Sequence, residues 1–149
     1  MFLSGMLARG RTRVKAGAFL SAVRVVPWLA AAVWMGGIFY LSHQSAPLGA
    51  TVSELESIVA HVGLYAGLAL LLHWALAGVS RSRGMAVAWA AAAVALAVLY
   101  GVSDEIHQTF VLGRTASAVD IAFDAAGAGL GVGLALLATA LLNARSERR

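Results

Sequence analysis

Four long apolar stretches constrain the fold of this chain more than any other feature of its sequence. They run approximately over residues 25–42, 58–79, 85–103 and 121–142, and each holds at least 18 residues with few charges. A helix of that length crosses a hydrocarbon core of about 30 Å. Because lipid offers the backbone no hydrogen-bond partners, a spanning segment of this kind must be helical. The sequence therefore predicts an all-α membrane protein built as a bundle of four transmembrane helices.

The composition excludes several other classes of protein. Hydrophobic residues make up 60% of the chain and charged residues only 12%, whereas a soluble domain carries about 25% charged residues. A soluble globule, a disordered chain and a disulfide-stapled secreted scaffold are therefore excluded. Because the chain has no cysteine, thiolate zinc sites, iron–sulfur clusters and thiol nucleophiles are excluded as well.

The basic residues predict the orientation of the bundle. Ten of the eleven Lys and Arg residues precede the first stretch, separate the second from the third, or follow the fourth. Positive charge marks the cytoplasmic side, so both termini are predicted to be cytoplasmic. We expect a basic segment over residues 1–24, a transmembrane domain over 25–142 and a basic tail over 143–149. The first apolar run exceeds the usual 7–15 residues of a signal peptide, which favours a retained helix.

Six of the seven acidic residues fall on the opposite, outer side. Helical spacing places Asp104 on one face with Tyr100 and with either His107 or Gln108, while Glu105 points about 100° away. The outer acidic residues are Glu54, Glu56, Asp104, Glu105, Asp120 and Asp124. The first two are expected in a solvated loop.

Two further faces carry polar residues at this end. Asp120 and Asp124 lie one turn apart in the fourth stretch, and His61 and Tyr65 in the second. Ionisable residues at membrane depth usually face the bundle interior or a wet cavity. We expect the three faces to line one outward-opening polar pocket.

Each of these residues also has a structural interpretation. The Ser117-to-Asp120 spacing fits a capping box at the start of the fourth helix. Arg114 can pair with Asp104 or Glu105 in an ion-pair network without a binding role. The polar side chain of His61 can form a bond across helices.

Glycine spacing predicts where helices approach closely. The fourth stretch contains Gly127-x-x-x-Gly131, overlapping Gly129-x-x-x-Gly133, and the second contains Gly63-x-x-x-Gly67. Such spacing permits close contact between helix backbones, and we expect it chiefly in the fourth helix.

No dedicated metal site is predicted, because no His-x-x-x-His or comparable spacing occurs. A divalent cation such as Mg²⁺ or Ca²⁺, bridging the outer carboxylates to a lipid phosphate, is the remaining possibility. Without a cation, these carboxylates would repel a phosphate. The inner basic residues suit anionic lipid headgroups better than nucleic acid, so no nucleic-acid partner is expected.

The segment from residue 100 to residue 127 resembles the signature of the VanZ-like family. That signature contains Asp-Glu followed by Gln and Phe, then Gly-Arg, a downstream Asp, and Asn or Asp before Gly. The matching positions are Asp104, Glu105, Gln108, Phe110, Gly113, Arg114, Asp120, Asp124 and Gly127. The family's second-span His and Tyr are matched by His61 and Tyr65, and its Ser-x-Gln by Ser42 and Gln44.

The resemblance covers about residues 25–142 and has two departures. Many members carry Asp-Lys where this chain has Ser57-Ile58, and a proline where it has Leu112. VanZ-like proteins are small polytopic bacterial membrane proteins, and the namesake is linked to low-level teicoplanin resistance. The resemblance thus implies a multi-pass protein of the bacterial cytoplasmic membrane and cell envelope, without implying a reaction.

Three functions are compatible with these observations. The favoured one is binding of a membrane lipid, a lipid-linked envelope precursor or a lipoglycopeptide. Its ligand-binding candidates are His61, Tyr65, Gln108, Arg114, Asp120 and Asp124. The second function, which is less favoured, is that of a membrane enzyme. In that case Asp104 or Glu105 would act as general acid or base on an envelope precursor. The third function is that of a non-catalytic scaffold. The sequence is also compatible with a homo-oligomer or with a membrane-protein partner.

Overall fold

A computed structural model describes residues 24–45, 53–79 and 83–148, and the regular secondary structure within these ranges is helical throughout. The helices are α1 (Arg24–Ser42), α2 (Glu54–Ala77), α3 (Ala86–Gln108) and α4 (Ala118–Ser146). All four are long and apolar enough to cross a membrane, which confirms the predicted architecture. Residues 1–23 of the predicted basic segment lie outside the described residues, as do Arg81 and Arg149.

Helix α2 begins earlier than its apolar stretch because the preceding residues cap it. The Ser53 hydroxyl accepts a hydrogen bond from the Glu56 amide at 3.2 Å, and the Glu56 carboxylate accepts one from the Ser53 amide at 3.0 Å. This reciprocal pair is a capping box. The prediction that Glu54 and Glu56 lie in a loop is therefore wrong: both are exposed on the first turn of α2, where negative charge stabilises a helix.

The other helices at this end of the molecule are also longer than hydropathy predicts. Helix α3 continues to Gln108, five residues beyond residue 103, and α4 begins at Ala118 rather than at residue 121. Polar side chains in these turns end the apolar runs without ending the helices. The short connection between them turns at Gly113, whose φ of 80° is readily adopted only by glycine.

Helices α2 and α4 approach each other closely at two glycines. A Cβ atom added to Gly127 would overlap the backbone of Val62, and one added to Gly131 would overlap the backbone of Ala66. The two glycines therefore let the helix backbones touch over more than one turn, which confirms the packing role predicted for this spacing.

The other glycine pairs behave differently. A Cβ on Gly129, Gly133 or Gly63 would meet nothing within 4 Å among the described residues. Gly67 instead makes room for the indole ring of Trp34, which would lie 2.7 Å from an added Cβ. Only one of the two overlapping patterns in α4 is thus used for helix packing within the described ranges.

Helix α1 is held to the bundle by side chains that bond to backbone groups. The indole N–H of Trp34 donates to the Leu64 carbonyl at 2.9 Å, and the Tyr100 hydroxyl donates to the Met35 carbonyl at 2.7 Å. These bonds fix α1 against both α2 and α3.

Small side chains form much of the core, and large ones face outwards. Val33 and Val87 are 76% and 75% exposed, as expected where the surrounding solvent is lipid. The fully buried apolar residues are Leu68, Ala69, Ala93, Ala97 and Ala128. The alanines keep the helices close together, so polar groups at the helix ends come within bonding distance.

Candidate functional site

The polar residues gather where α1 and α3 end and α2 and α4 begin, a region called here the polar end. Its buried polar side chains are Ser42, Asp104, Glu105, Gln108 and Asp124. Because each helix contributes rigid backbone, the relative positions of these groups are set by helix packing. The three predicted faces therefore do converge, as the sequence indicates.

Asp104 lies between α1 and the last turn of α3. Its carboxylate accepts a hydrogen bond from the Ser42 hydroxyl at 2.6 Å and one from the Gln108 amide at 3.3 Å. The same Gln108 nitrogen lies 3.2 Å from the Glu105 carboxylate. Gln108 thus bridges two buried acidic groups, and Asp104 has a donor for each oxygen.

Glu105 joins α3 to the start of α4. Its Oε2 accepts a hydrogen bond from the Ser117 amide at 2.7 Å, while the Ser117 hydroxyl accepts one from the Asp120 amide at 3.2 Å. The capping box predicted within α4 is therefore only half formed locally. The carboxylate that completes it comes from α3, which leaves the side chain of Asp120 free for another contact.

That contact is with His61, which also bonds to Asp124. Nδ1 of His61 lies 2.8 Å from Oδ1 of Asp124, and its Nε2 lies 3.9 Å from Oδ2 of Asp120. The interpretation of His61 as a cross-helix bond is thus confirmed. Asp124 fits in the interior because residue 101 is glycine: an added Cβ there would lie 2.6 Å from Oδ2 of Asp124.

Two buried polar atoms beside His61 have no hydrogen-bond partner among the described residues. They are the hydroxyl of Tyr65 and Oδ2 of Asp124. The ring of Tyr65 is parallel to the imidazole of His61, and the two ring centroids lie 6.4 Å apart. Leaving a buried polar group unsatisfied costs about 1–3 kcal/mol. Such groups in a folded protein call for an explanation, such as an ordered water or a ligand.

Arg114 has a different role from the predicted ion pair. Its Nε donates to the Gln44 carbonyl at 3.2 Å, and its Nη2 donates to the Leu41 carbonyl at 3.4 Å. Among the described residues it forms no salt bridge with Asp104 or Glu105, so the alternative interpretation of Arg114 as part of an ion-pair network is wrong. Both carboxylates are buried and already have other donors, whereas the last carbonyls of α1 need one.

The polar end is strongly acidic, and only some of its ionisable side chains reach the surface. The side chains of His61 and Asp120 are 19% and 27% exposed, whereas Asp104, Glu105 and Asp124 are buried. Carboxylates accept hydrogen bonds and bind cations. The accessible chemistry therefore suits a metal ion or a group rich in hydroxyl or amine donors.

The structure also brings together three side chains, from three helices, of the types that can bind a metal ion. His61, Glu105 and Asp120 each offer one ligand atom, and these atoms lie within 4.8 Å of one another. No short sequence spacing connects these residues, so pattern reasoning did not single them out as a set.

Sequence patterns do not identify two contributors to the polar end. Ser117 fits the pattern of a helix cap, but its amide also holds Glu105. Gly101 lies one turn before Glu105 on α3, and a glycine within a helix is the signal that indicates a close approach there. The remaining predicted residues of the polar end lie where the helical spacing places them.

Comparison with known families identifies the region of the chain that contains the polar end. The family model described as VanZ/LLP1 matches residues 27–139, a range that includes every residue of the polar end. No curated protein and no solved structure gave a significant match. The chain belongs to the VanZ/LLP1 family of the VanZ-like proteins.

Proposed function

We propose that the protein binds the polar headgroup of a membrane lipid or of a lipid-linked cell-envelope precursor at the polar end. The observation that carries the proposal is the convergence of four acidic side chains, of which Asp120 is partly exposed beside His61. Charged groups in a membrane protein are costly and usually functional. In this proposal the polar end faces outwards, as the distribution of basic residues predicts.

The chemistry of the polar end limits the headgroup. Ionised carboxylates are acceptors only, so hydroxyls and amines, as in a sugar or amino-sugar headgroup, bind there directly. These carboxylates repel a phosphate unless a cation lies between them and the phosphate. A lipid-linked glycan therefore fits better than a simple anionic phospholipid, and its capture would affect susceptibility to teicoplanin-type glycopeptides.

The roles of the candidate residues follow from their accessibility. His61 and Asp120 contact the headgroup, because their side chains reach the surface. Tyr65, Gln108 and Asp124 lie behind them in the bundle. Asp124 holds the ring of His61, and Gln108 bridges the buried Asp104 and Glu105.

Native mass spectrometry of the detergent-purified protein tests the proposal. We expect wild type to retain an envelope lipid, and Asp120→Asn to retain about tenfold less, as the loss of a charged hydrogen bond implies. Glu54→Gln is the matched control, because Glu54 is an exposed carboxylate at the same end outside the cluster. Equal lipid occupancy in all three proteins would refute the proposal.

Catalysis on an envelope precursor is the second candidate, and one contact favours it. The Asp124 carboxylate holds Nδ1 of His61, which leaves Nε2 to act as a general base. His61 is then a better acid–base candidate than Asp104 or Glu105, which are buried and bonded to donors. A lipid extract incubated with wild type and with His61→Gln should yield a new product only with wild type. Retention of unchanged lipid by wild type, with no new product, would argue for binding alone.

A scaffold role makes a different prediction. If the polar end only holds the bundle together, Asp120→Asn should lower protein abundance in proportion to any change in glycopeptide susceptibility. Altered susceptibility at unchanged abundance would support ligand binding over a scaffold.

A further inference from the structure

Three side chains at the polar end have the composition and spacing of a metal site. We infer that His61, Glu105 and Asp120 bind a single divalent transition-metal ion, with Asp124 as the residue that orients His61. The three ligand atoms lie within 4.8 Å of one another. Since metal–ligand bonds of this kind are about 2.0–2.2 Å, small side-chain movements bring all three atoms to one ion.

The ligands are held by different helices. His61 belongs to α2, Glu105 to α3 and Asp120 to α4. Their backbone positions are therefore set by the packing of the bundle and by the close contact of α2 with α4 at Gly127. A site on rigid elements keeps its geometry better than a site on loops.

Asp124 prepares the histidine for metal binding. Its Oδ1 lies 2.8 Å from Nδ1 of His61, and metal-binding histidines almost always donate their second ring N–H to a carboxylate or carbonyl. The other nitrogen, Nε2, then faces Asp120 at 3.9 Å. The ring is thus oriented with its free nitrogen towards the other ligands.

The surroundings of His61 independently indicate a missing polar partner. The Tyr65 hydroxyl and Oδ2 of Asp124 are buried without hydrogen-bond partners among the described residues, and Tyr65 is 1% exposed. The guanidinium of Arg114 is bonded to the carbonyls of Leu41 and Gln44. A divalent ion with bound water would supply both positive charge and hydrogen-bond donors to this region.

The ligand set indicates the class of metal. One imidazole nitrogen with two carboxylates suits Zn²⁺, Mn²⁺ or Fe²⁺, whereas Mg²⁺ and Ca²⁺ take oxygen ligands. Three protein ligands also leave a coordination position open, as in catalytic rather than structural zinc sites. The sequence predicts no dedicated metal site and leaves Mg²⁺ or Ca²⁺ on the outer carboxylates as the remaining possibility. The proposed site differs because it includes His61.

The open position gives the metal a role in headgroup binding, a step that rests on the proposed function. A phosphate oxygen of a lipid-linked headgroup would bind directly to the ion. The carboxylates alone would repel that phosphate. Metal binding by the three side chains does not itself require the lipid.

Metal content of the purified protein tests the inference. The detergent-solubilised full chain is treated with EDTA, exposed separately to Zn²⁺, Mn²⁺ and Mg²⁺, and desalted before elemental analysis by mass spectrometry. We expect wild type to retain one Zn²⁺ or Mn²⁺ ion and to release Mg²⁺. Asp120→Asn and His61→Gln should lose retention, and Asp124→Asn should weaken affinity by about 10- to 100-fold, as for other residues that orient a ligand.

Two controls separate the site from adventitious binding and from unfolding. His107→Gln changes a half-exposed histidine at the same end, and Glu54→Gln changes an exposed carboxylate there; both should bind metal as wild type does. Far-UV circular dichroism checks that every variant is helical. The inference would be overturned if wild type retained no metal, or if folded His61→Gln retained as much metal as wild type.

Lipid retention with and without EDTA distinguishes the two proposals. Lipid retained equally with and without EDTA would overturn the role of the metal in headgroup binding and leave the proposed function standing. Metal bound without any lipid would overturn the proposed function and leave the metal site standing. Loss of lipid on EDTA treatment, restored by Zn²⁺ or Mn²⁺, supports both.

Discussion

Nδ1 of His61 in α2 and Oδ1 of the buried Asp124 in α4 lie 2.8 Å apart. This contact joins residues 63 positions apart in the sequence, and it lies one turn from the point where Gly127 lets the two helices touch. It orients the imidazole, so that Nε2 faces Asp120. The orientation of the imidazole at the polar end therefore depends on this pair.

Replacing Asp124 tests how much the pair stabilises the bundle. Asp124→Ala leaves the His61 ring without its partner, so we expect the free energy of unfolding to fall by about 1–3 kcal/mol. Asp124→Asn keeps an acceptor for the ring and should cost less. Denaturant titration in detergent micelles, followed by tryptophan fluorescence, measures both. Equal stability of Asp124→Ala and wild type would contradict the importance of the contact.

Ser42 provides a buried bond between the end of α1 and α3. Ser42→Ala removes the 2.6 Å hydrogen bond to the buried carboxylate of Asp104, which should lower stability by about 1–3 kcal/mol. Ser45→Ala is the matched control, because Ser45 is exposed three residues further on. Thermal unfolding in the same detergent should separate the two variants, and identical curves would contradict the prediction.

We predict opposite effects on stability for alanine substitutions in the two overlapping glycine patterns of α4. Gly127→Ala places a methyl group against the backbone of Val62, and such overpacking typically costs about 1–3 kcal/mol. Gly129→Ala meets nothing within 4 Å among the described residues, so it should leave stability unchanged or raise it through helix propensity. Unfolding in detergent compares the two single-methyl changes. A Gly129→Ala variant that is the less stable of the pair would show that the packing assignment is wrong.

Arg114 is predicted to stabilise the end of α1. Arg114→Ala removes donors to the carbonyls of Leu41 and Gln44, and we expect a loss of about 1 kcal/mol. Hydrogen exchange should increase selectively in the last turn of α1. Arg145→Ala, an exposed change in the last turn of α4, is the control and should leave that turn unaffected. Unchanged exchange in Arg114→Ala would show that these bonds are unimportant in solution.

The sequence predicts which polar residues share a helix face at the polar end, because helical spacing determines the side of the helix on which each residue lies. His61 with Tyr65 and Asp120 with Asp124 were paired correctly by their four-residue spacing. The position of Glu105 shows the limit of this reasoning. It points away from the face of Asp104, yet it is also buried, because α4 packs against that second side and presents the Ser117 amide.

The sequence by itself determined the number of helices, their apolar character and the acidic nature of one end. Those properties follow from local composition and from the length of the apolar runs. Only the tertiary structure decided the partners: Asp124 for His61, Ser117 for Glu105, and carbonyls rather than a carboxylate for Arg114. A periodic pattern shows the direction of a side chain but not the group opposite it. That group depends on how close the helices come and how each is rotated.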